Sequence, residues 1–393
     1  MENMKITVPS AHKNRSDRRE QLTIDSFPSS EEELSIFAKE VLTLGKDPLS
    51  SRMLRVIRIE DMVEFWGGVL RDRSEGGERV RTFFQRTFEK DLKAGRKMFA
   101  RKLILARPPQ SLSVLTYEFP HFERAGVIET LRQDLILSRL SGGVLSIAPI
   151  LLKSAPGIGK NRFARRLKEV LGITKSRTLD FSSSTSGWAL SGMNSSWATS
   201  KPGEVFQTLT PIDGIGNPLF FLDEIEKGSV SSNASRPIDC LHALTEPETA
   251  REFFDEFCPV PIDASRVIWV GAANSFEGIP DSILSRFRIF EIPSPLPAEK
   301  RWIAKSVWDD LITLNPWGKH LSDTLSQEVL DHFELESPRS IKRILRAAAA
   351  SALSRTGGHI PMEKIQISKK DLMIQATNTI RKRPVGFSVA DSP

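Results

Sequence analysis

The sequence predicts an α/β protein: a parallel β-sheet flanked by helices, with a helical segment before it and another after it. Three observations carry that expectation. Short β-branched or apolar runs, bounded by Gly, Pro or Asn, recur at 150–152, 177–181, 219–222, 266–270 and 288–292, with helix-length segments between them. Strands spaced in this way need crossover helices, which is the pattern of a parallel sheet. On both sides of this region apolar residues recur at helical spacing instead. Finally, 39% of the 393 residues are hydrophobic and 26% charged, enough to bury a sizeable core and too apolar for a chain disordered throughout.

Taken in order, residues 1–30 are expected to form a flexible arm, polar and basic at first and ending in Phe27-Pro28-Ser29-Ser30. Ser29 or Ser30 then precedes Glu31, Glu32 and Glu33, an N-cap followed by acids that favour the positive end of a helix. Gly45 is placed to stop that helix. From 51 to about 105, Met53, Val56, Ile57, Met62, Val63, Trp66, Phe83, Phe84 and Phe88 keep helical spacing. Gly67-Gly68 and Gly76-Gly77 are expected to break the stretch into several helices, giving a helical N-terminal domain over 31–118. Its end is basic, with Arg96, Lys97, Arg101 and Lys102; a solvated helix face and a nucleic-acid patch both fit. An α/β domain over 119–294 follows. The Pro-rich run Pro293-Ser294-Pro295-Leu296-Pro297 hands over to a helical domain, 295–380. The tail 381–393 carries no periodicity and is expected to fray.

Several classes are excluded or disfavoured. The longest apolar run, 144–152, contains Pro149 and is half the roughly 18 residues a membrane span needs, so no membrane association is expected. The first twenty residues contain no apolar segment of a secretory signal. Cys240 and Cys258 form neither a metal pattern nor a disulfide framework, which fits a reducing, cytoplasmic setting. A net charge of +6 is too small by itself to argue for nucleic acid.

Chemistry first shows in Ser154-Ala155-Pro156-Gly157-Ile158-Gly159-Lys160-Asn161, directly after the strand at 150–152. This is a P-loop pattern with two substitutions. Gly157 and Gly159 let backbone N–H groups of the 155–161 stretch turn onto phosphate oxygens, and the next helix adds its N-terminal dipole. Lys160 would reach the β- and γ-phosphates of ATP. Ser154 stands where a first Gly is expected, and Asn161 where a hydroxyl should ligand Mg²⁺. An ordinary Gly-rich turn could have the same letters.

A second feature follows. Leu219-Phe220-Phe221-Leu222 is a buried-type strand that ends in Asp223 and Glu224. A buried strand needs no acids, whereas a Mg²⁺–ATP site does: Asp223 can hold the metal and Glu224 can polarise the attacking water. A third strand ends in Asn274, an amide able to orient that water or simply to begin a turn.

Together, in this order and spacing, these stretches resemble the AAA+ ATPase module of the Lon protease family from about Phe119 to Arg346. The likeness extends through Asp223-Glu224-Ile225-Glu226-Lys227, through Leu244, Glu246-Pro247-Glu248 and Phe253-Phe254-Asp255, and through 279–286. The resemblance implies an AAA+ P-loop fold with a C-terminal helical lid. It also implies an arginine finger at Arg286, a lid arginine at Arg339 in Ser337-Pro338-Arg339, and ATP with Mg²⁺ as ligands. In such modules an aromatic–aliphatic pair before Pro-Gly grips polypeptide in a central pore. By position that role falls on Trp197 and Ala198 before Pro202-Gly203, unless Trp197 packs as core. The implied assembly is a homo-oligomeric ring, a hexamer, that remodels a protein partner. Only about fifty residues follow Arg339, too few for the family's protease domain, so intrinsic proteolysis is not expected. An ATP-binding switch that scarcely hydrolyses, and a nucleic-acid motor, are the alternatives.

Overall fold

In a computed structural model, residues 26–45, 49–94, 97–183, 188–229, 238–357, 359 and 363–373 are described. The expected tail 381–393 and most of the expected arm lie outside them, as does Arg96. The described residues divide into two compact units. One holds those up to Ser113 with Gly126–Ser154 and Lys160–Glu291; the other holds Val114–Ala125, Ala155–Gly159 and those from Ile292 onward.

The first unit begins earlier than the arm reading allowed. Phe27 is buried, its ring 4.7 Å from that of Trp66, and the Trp66 indole N–H donates to the Pro28 carbonyl at 2.9 Å. An aromatic side chain recovers enough apolar burial to fix the chain on which it sits. Helices Glu31–Gly45, Ile59–Arg71 and Glu75–Leu92 follow, together with an antiparallel pair, β1 (Met53–Arg55) and β2 (Ala100–Lys102). These strands lie in a stretch expected to be wholly helical. Three residues are too few for a period-two pattern to stand out.

The glycine pairs do not break helices here. Gly67 and Gly68 lie inside Ile59–Arg71, and Gly76 and Gly77 in the first turn of Glu75–Leu92. The break comes at 72–74, where Ser74 Oγ caps the Gly77 N–H at 3.0 Å. Close approach explains Gly67, Gly76 and Gly77 better, while a Cβ on Gly68 would meet open space. A Cβ on Gly67 would stand 3.2 Å from Leu34 Cδ2 of the neighbouring helix.

The N-terminal layer does not have a core of its own. Phe83 meets Phe206 and Phe257, with ring centroids at 6.0 and 5.3 Å, and one hydrophobic cluster runs from Phe27 to Phe287. Arg101 is wholly buried. It pairs with the buried Asp91 at 2.8 Å and donates to the Leu209 and Thr210 carbonyls. Breaking such a pair by removing one partner costs about 3–5 kcal/mol. Arg101 is therefore structural and drops out of the basic patch expected at the end of this layer. The boundary read at residue 118 separates sequence patterns, but packing does not follow it.

The rest of the unit contains β3 (Ile150–Lys153), β4 (Ser176–Asp180), β5 (Leu219–Asp223), β6 (Phe253–Phe254), β7 (Pro261–Ile262), β8 (Ile268–Ala273) and β9 (Arg288–Glu291). Five of these make a parallel sheet in the order β4-β5-β8-β3-β9, while β6 and β7 form a separate antiparallel pair. All five expected strands are present, β8 running on to Ala273. Every residue of β8 is buried, as a central strand covered on both faces requires.

In the second unit, helices Pro297–Leu314, Gln327–His332 and Pro338–Ser354 pack around Trp308, Val329, Ile341 and Leu345. Ser337 Oγ accepts the Ser340 N–H and Pro338 occupies the first helical position, so the third helix starts where Ser-Pro predicts. Among the described residues no helix is long and apolar enough to cross a membrane.

Candidate nucleotide site

Neighbouring strands of a parallel sheet end at the same edge, so their tips come together. β5, β8 and β3 lie side by side, with Leu222 opposite Gly271 and Leu152 opposite Ala272. Their ends deliver Asp223, Asn274 and Ser154 to one place. Lys160 opens the helix Lys160–Leu171 and is buried there. Its ammonium donates to Ser154 Oγ at 2.9 Å, to the Ser154 carbonyl at 3.1 Å and to Asn274 Oδ1 at 3.0 Å. Burial lowers the Lys160 pKa, and the carboxylates of Asp223, Glu226 and Glu224 act against that shift. Ser154, in sequence a defect in the P-loop pattern, supplies two of these acceptors.

Asn274 is held from its other side. Its side-chain nitrogen and its backbone N–H both donate to Glu226 Oε1, at 3.1 and 3.2 Å. That orients the amide oxygen onto Lys160. Glu226 is a buried carboxylate that the sequence reading did not assign to the site. Its place in the sequence, two positions beyond Glu224 in a segment leaving the core, gives no sign of the contact with Asn274.

Asp223 accepts from the Glu224 N–H at 3.1 Å with one oxygen and from Asn161 Nδ2 at 2.6 Å with the other. A carboxylate only accepts, so the nitrogen of Asn161 faces it. An amide nitrogen is no ligand for Mg²⁺. Glu224 has φ +50°, a left-handed backbone that costs a side-chain-bearing residue about 1–2 kcal/mol. Such strain, held at the end of a buried strand, is the kind found at functional sites. Among the described residues no group of three or more His, Cys, Asp or Glu could enclose a metal. Asp223 and Glu224 nevertheless fit Mg²⁺, a hard cation that takes one or two carboxylates and completes its shell with phosphate oxygens and water. Arg286 stands just before the edge strand β9, half-buried, its guanidinium donating to the Ser282 carbonyl.

The loop Ala155–Gly159 is counted with the second unit. Ala155, Pro156 and Gly157 are exposed, whereas Ile158 is buried and anchors the turn. Gly157 has φ +83°, and a Cβ there would stand 2.9 Å from Arg339 Cβ, so conformation and packing both require glycine. Gly159 has φ +111°. The buried His121 donates from Nε2 to the Ile158 carbonyl at 3.2 Å, a support with no signature in the sequence. Arg339 is exposed at the start of Pro338–Ser354.

Trp197 is 55% exposed, which removes the core alternative for it, and its ring lies 5.7 Å from that of Trp188. Ala198 beside it is exposed. The loop is closed at its base by the Met193 N–H on the Lys201 carbonyl, at 3.0 Å. Just beyond, the Gly203 N–H donates at 2.7 Å to Asp255, which also accepts from the Phe257 and Cys258 N–H groups. Burial, with the charge of Glu256 adding to it, pushes Asp255 up to about 7 against these three bonds. A carboxyl raised in the folded state stabilises fully below its unfolded pKa and loses that contribution as pH rises through about 7. The stability of the parent relative to Asp255→Asn is thus expected to fall between pH 4 and 8, by at most about 1.4 kcal/mol per pH unit. Urea unfolding of both proteins across that range checks it, and a constant difference would refute it.

Comparison with known proteins agrees with this geometry. The family described as "ATPase family associated with various cellular activities (AAA)" matches residues 150–294. The Lon protease of Mycoplasma mycoides subsp. mycoides is 33% identical over 38% of this chain and 18% of its own length. The mitochondrial Lon protease homolog of Yarrowia lipolytica is 30% identical over 50% of this chain and 16% of its own length. This chain thus spans less than a fifth of either relative. Among solved structures, the Thermotoga maritima RuvB Holliday junction branch migration motor aligns with a TM-score of 0.41 and 15% identity, over 65% of this chain and 68% of that one. Strand order, phosphate loop, acidic strand tip and sequence likeness all fall on the same residues, and residues 150–294 are accordingly a Lon-like AAA module with the P-loop nucleotide-binding fold.

Proposed function

We propose that this chain hydrolyses ATP with Mg²⁺ and, as an oligomeric ring, remodels or unfolds a protein partner. The observation that carries the reading is the meeting of Lys160, Asp223, Glu224 and Asn274 at adjoining strand tips, with the strained Glu224 backbone among them. In this reading the N–H groups of Gly157, Ile158 and Gly159 and the Lys160 ammonium bind phosphate, Pro156 having no N–H to offer. Asp223, with Asn161 close by, would hold Mg²⁺, which supplies positive charge to the phosphate oxygens. Glu224 takes a proton from water as that water attacks the γ-phosphorus and ADP leaves. Asn274 orients the water. Arg339 serves its own subunit's nucleotide, and Arg286 serves a neighbour's. Such chemistry depends on positioning and charge far more than on covalent intermediates.

Steady-state hydrolysis with and without Mg²⁺ tests the chemistry, and equal turnover in both would refute it. Trp197→Ala tests the mechanical part: hydrolysis is expected to continue, while stimulation of hydrolysis by an unfolded polypeptide is lost. Undiminished stimulation would remove Trp197 from substrate engagement.

A second reading, a switch that binds ATP and scarcely turns it over, is favoured by one contact, Asn161 Nδ2 on Asp223. The bond occupies a carboxylate oxygen that Mg²⁺ would use. Asn161→Thr removes it and offers a hydroxyl oxygen instead. Turnover is expected to rise about 10-fold, equivalent to about 1.4 kcal/mol of barrier, and half-maximal activity to need less Mg²⁺. An unchanged rate and Mg²⁺ requirement would defeat the metal-ligand argument; no turnover in either protein would favour the switch.

A further inference from the structure

The loop that carries Trp197 is held by a residue far away in sequence. The Ser195 carbonyl accepts from Arg79 Nη2 at 2.6 Å and from Arg79 Nε at 3.3 Å. Arg79 belongs to the helix Glu75–Leu92 of the N-terminal layer. The first turn of that helix lies directly on the same peptide group: a Cβ on Gly76 would stand 3.1 Å from the Ser195 oxygen and 3.2 Å from its carbon. Glycine and arginine thus act together, one allowing the approach and the other making the bond. Ser195 is two residues before Trp197, and Ser200 Oγ reaches the same oxygen from the returning arm at 3.4 Å. The base of the loop is fixed by Met193 with Lys201 and by Asp255 with Gly203. Within the loop the Trp197 N–H donates to the Asn194 carbonyl at 3.2 Å and the Ser200 N–H to the Trp197 carbonyl at 3.1 Å, turns that shape the loop without attaching it to a neighbouring element. The Arg79 contact ties it near the tip.

We infer that Arg79 is a positioning residue for the Trp197 loop. Through it the N-terminal layer sets how Trp197 is presented to a polypeptide. This rests on the reading of Trp197 as a polypeptide grip, although the clamp itself can be tested without that reading. A guanidinium shared between two bonds to one carbonyl is a charge-assisted contact, stronger than a neutral one. Its loss should raise the population of an open loop, and cleavage by a protease tracks that population when opening is fast.

The test uses the full chain and chymotrypsin, which cuts after Trp197. Arg79→Ala is expected to speed cleavage of the Trp197–Ala198 bond roughly 10-fold while cleavage elsewhere keeps its rate. Glu75→Ala, which removes only an exposed partner 3.8 Å from Arg79, should cut like the parent. Arg79→Lys, with the charge kept and the two-point bond lost, should fall between. Parental loop cleavage in Arg79→Ala overturns the inference. Should the alanine variant be cut throughout the chain, Arg79→Lys decides, and parental loop cleavage in it overturns the inference equally. In a second arm, carboxymethylated lactalbumin, a permanently unfolded chain, is titrated as a stimulator of hydrolysis. Arg79→Ala should need a severalfold higher concentration for half-maximal stimulation. No stimulation of the parent, alongside faster loop cleavage in Arg79→Ala, defeats the polypeptide reading and upholds the clamp.

Discussion

Glu224→Gln is expected to bind ATP and to hydrolyse it about 10²–10⁴-fold more slowly than the parent, the usual contribution of a positioned general base. Glutamine keeps the length and shape of the side chain, and Asp223 keeps its bonds from Asn161 and the residue 224 N–H. Proton acceptance and the negative charge of the side chain are lost. Nucleotide titration and single-turnover hydrolysis separate the two properties. Hydrolysis within threefold of the parent would exclude Glu224 as the base. Glu224→Gly offers a complementary signature. Glycine adopts φ +50° without strain. That variant should gain about 1 kcal/mol of stability while losing turnover, an opposition expected when strain is kept for chemistry.

Arg286→Ala should lower turnover by 10³-fold or more with little change in nucleotide binding, the scale of an arginine finger in phosphoryl transfer. The half-buried Arg286 caps no strand tip beside Lys160; it precedes the edge strand β9, where a neighbouring subunit could be reached. If the finger acts between subunits, mixing Arg286→Ala with Glu224→Gln should restore part of the activity. Hybrid contacts would then pair an intact finger with an intact base. Full-rate hydrolysis by a dilute monomer, or no recovery on mixing at concentrations that assemble the parent, would refute the arrangement.

The inner strands β3, β5 and β8 were legible because a parallel strand buried on both faces must be apolar along most of its length, whereas the edge strands β4 and β9 mix polar with apolar residues. The run Ile268–Ala273 can be little else. Asp223 and Glu224 were legible for the converse reason: acids directly after Leu219-Phe220-Phe221-Leu222 run against burial. The short pair β1–β2 was not, since its residues are too few to show a period. Nor was Gly76, whose meaning depends on Ser195, more than a hundred positions away. Arg101 misled because a lone arginine among basic residues looks solvated, and only Asp91 with the carbonyls of Leu209 and Thr210 makes its burial possible. Glu226 and His121 act through contacts with Asn274 and Ile158 that no local pattern announces. Spacing reveals what the backbone requires of one segment, while partners across the fold emerge only when segments meet.

The single cluster running from Phe27 to Phe287 bears on how such a protein could change over evolution. A recognition module joined by a linker can be exchanged for another, and the motor beneath it is unaffected. Here Phe83 is packed on Phe206 and Phe257, and Arg101 is sealed against the backbone at 209 and 210. Wholesale replacement of the N-terminal layer would strip the nucleotide module of part of its own interior. New partners would have to be acquired by surface substitution on a fixed frame, and inheritance would keep the layer and the module together.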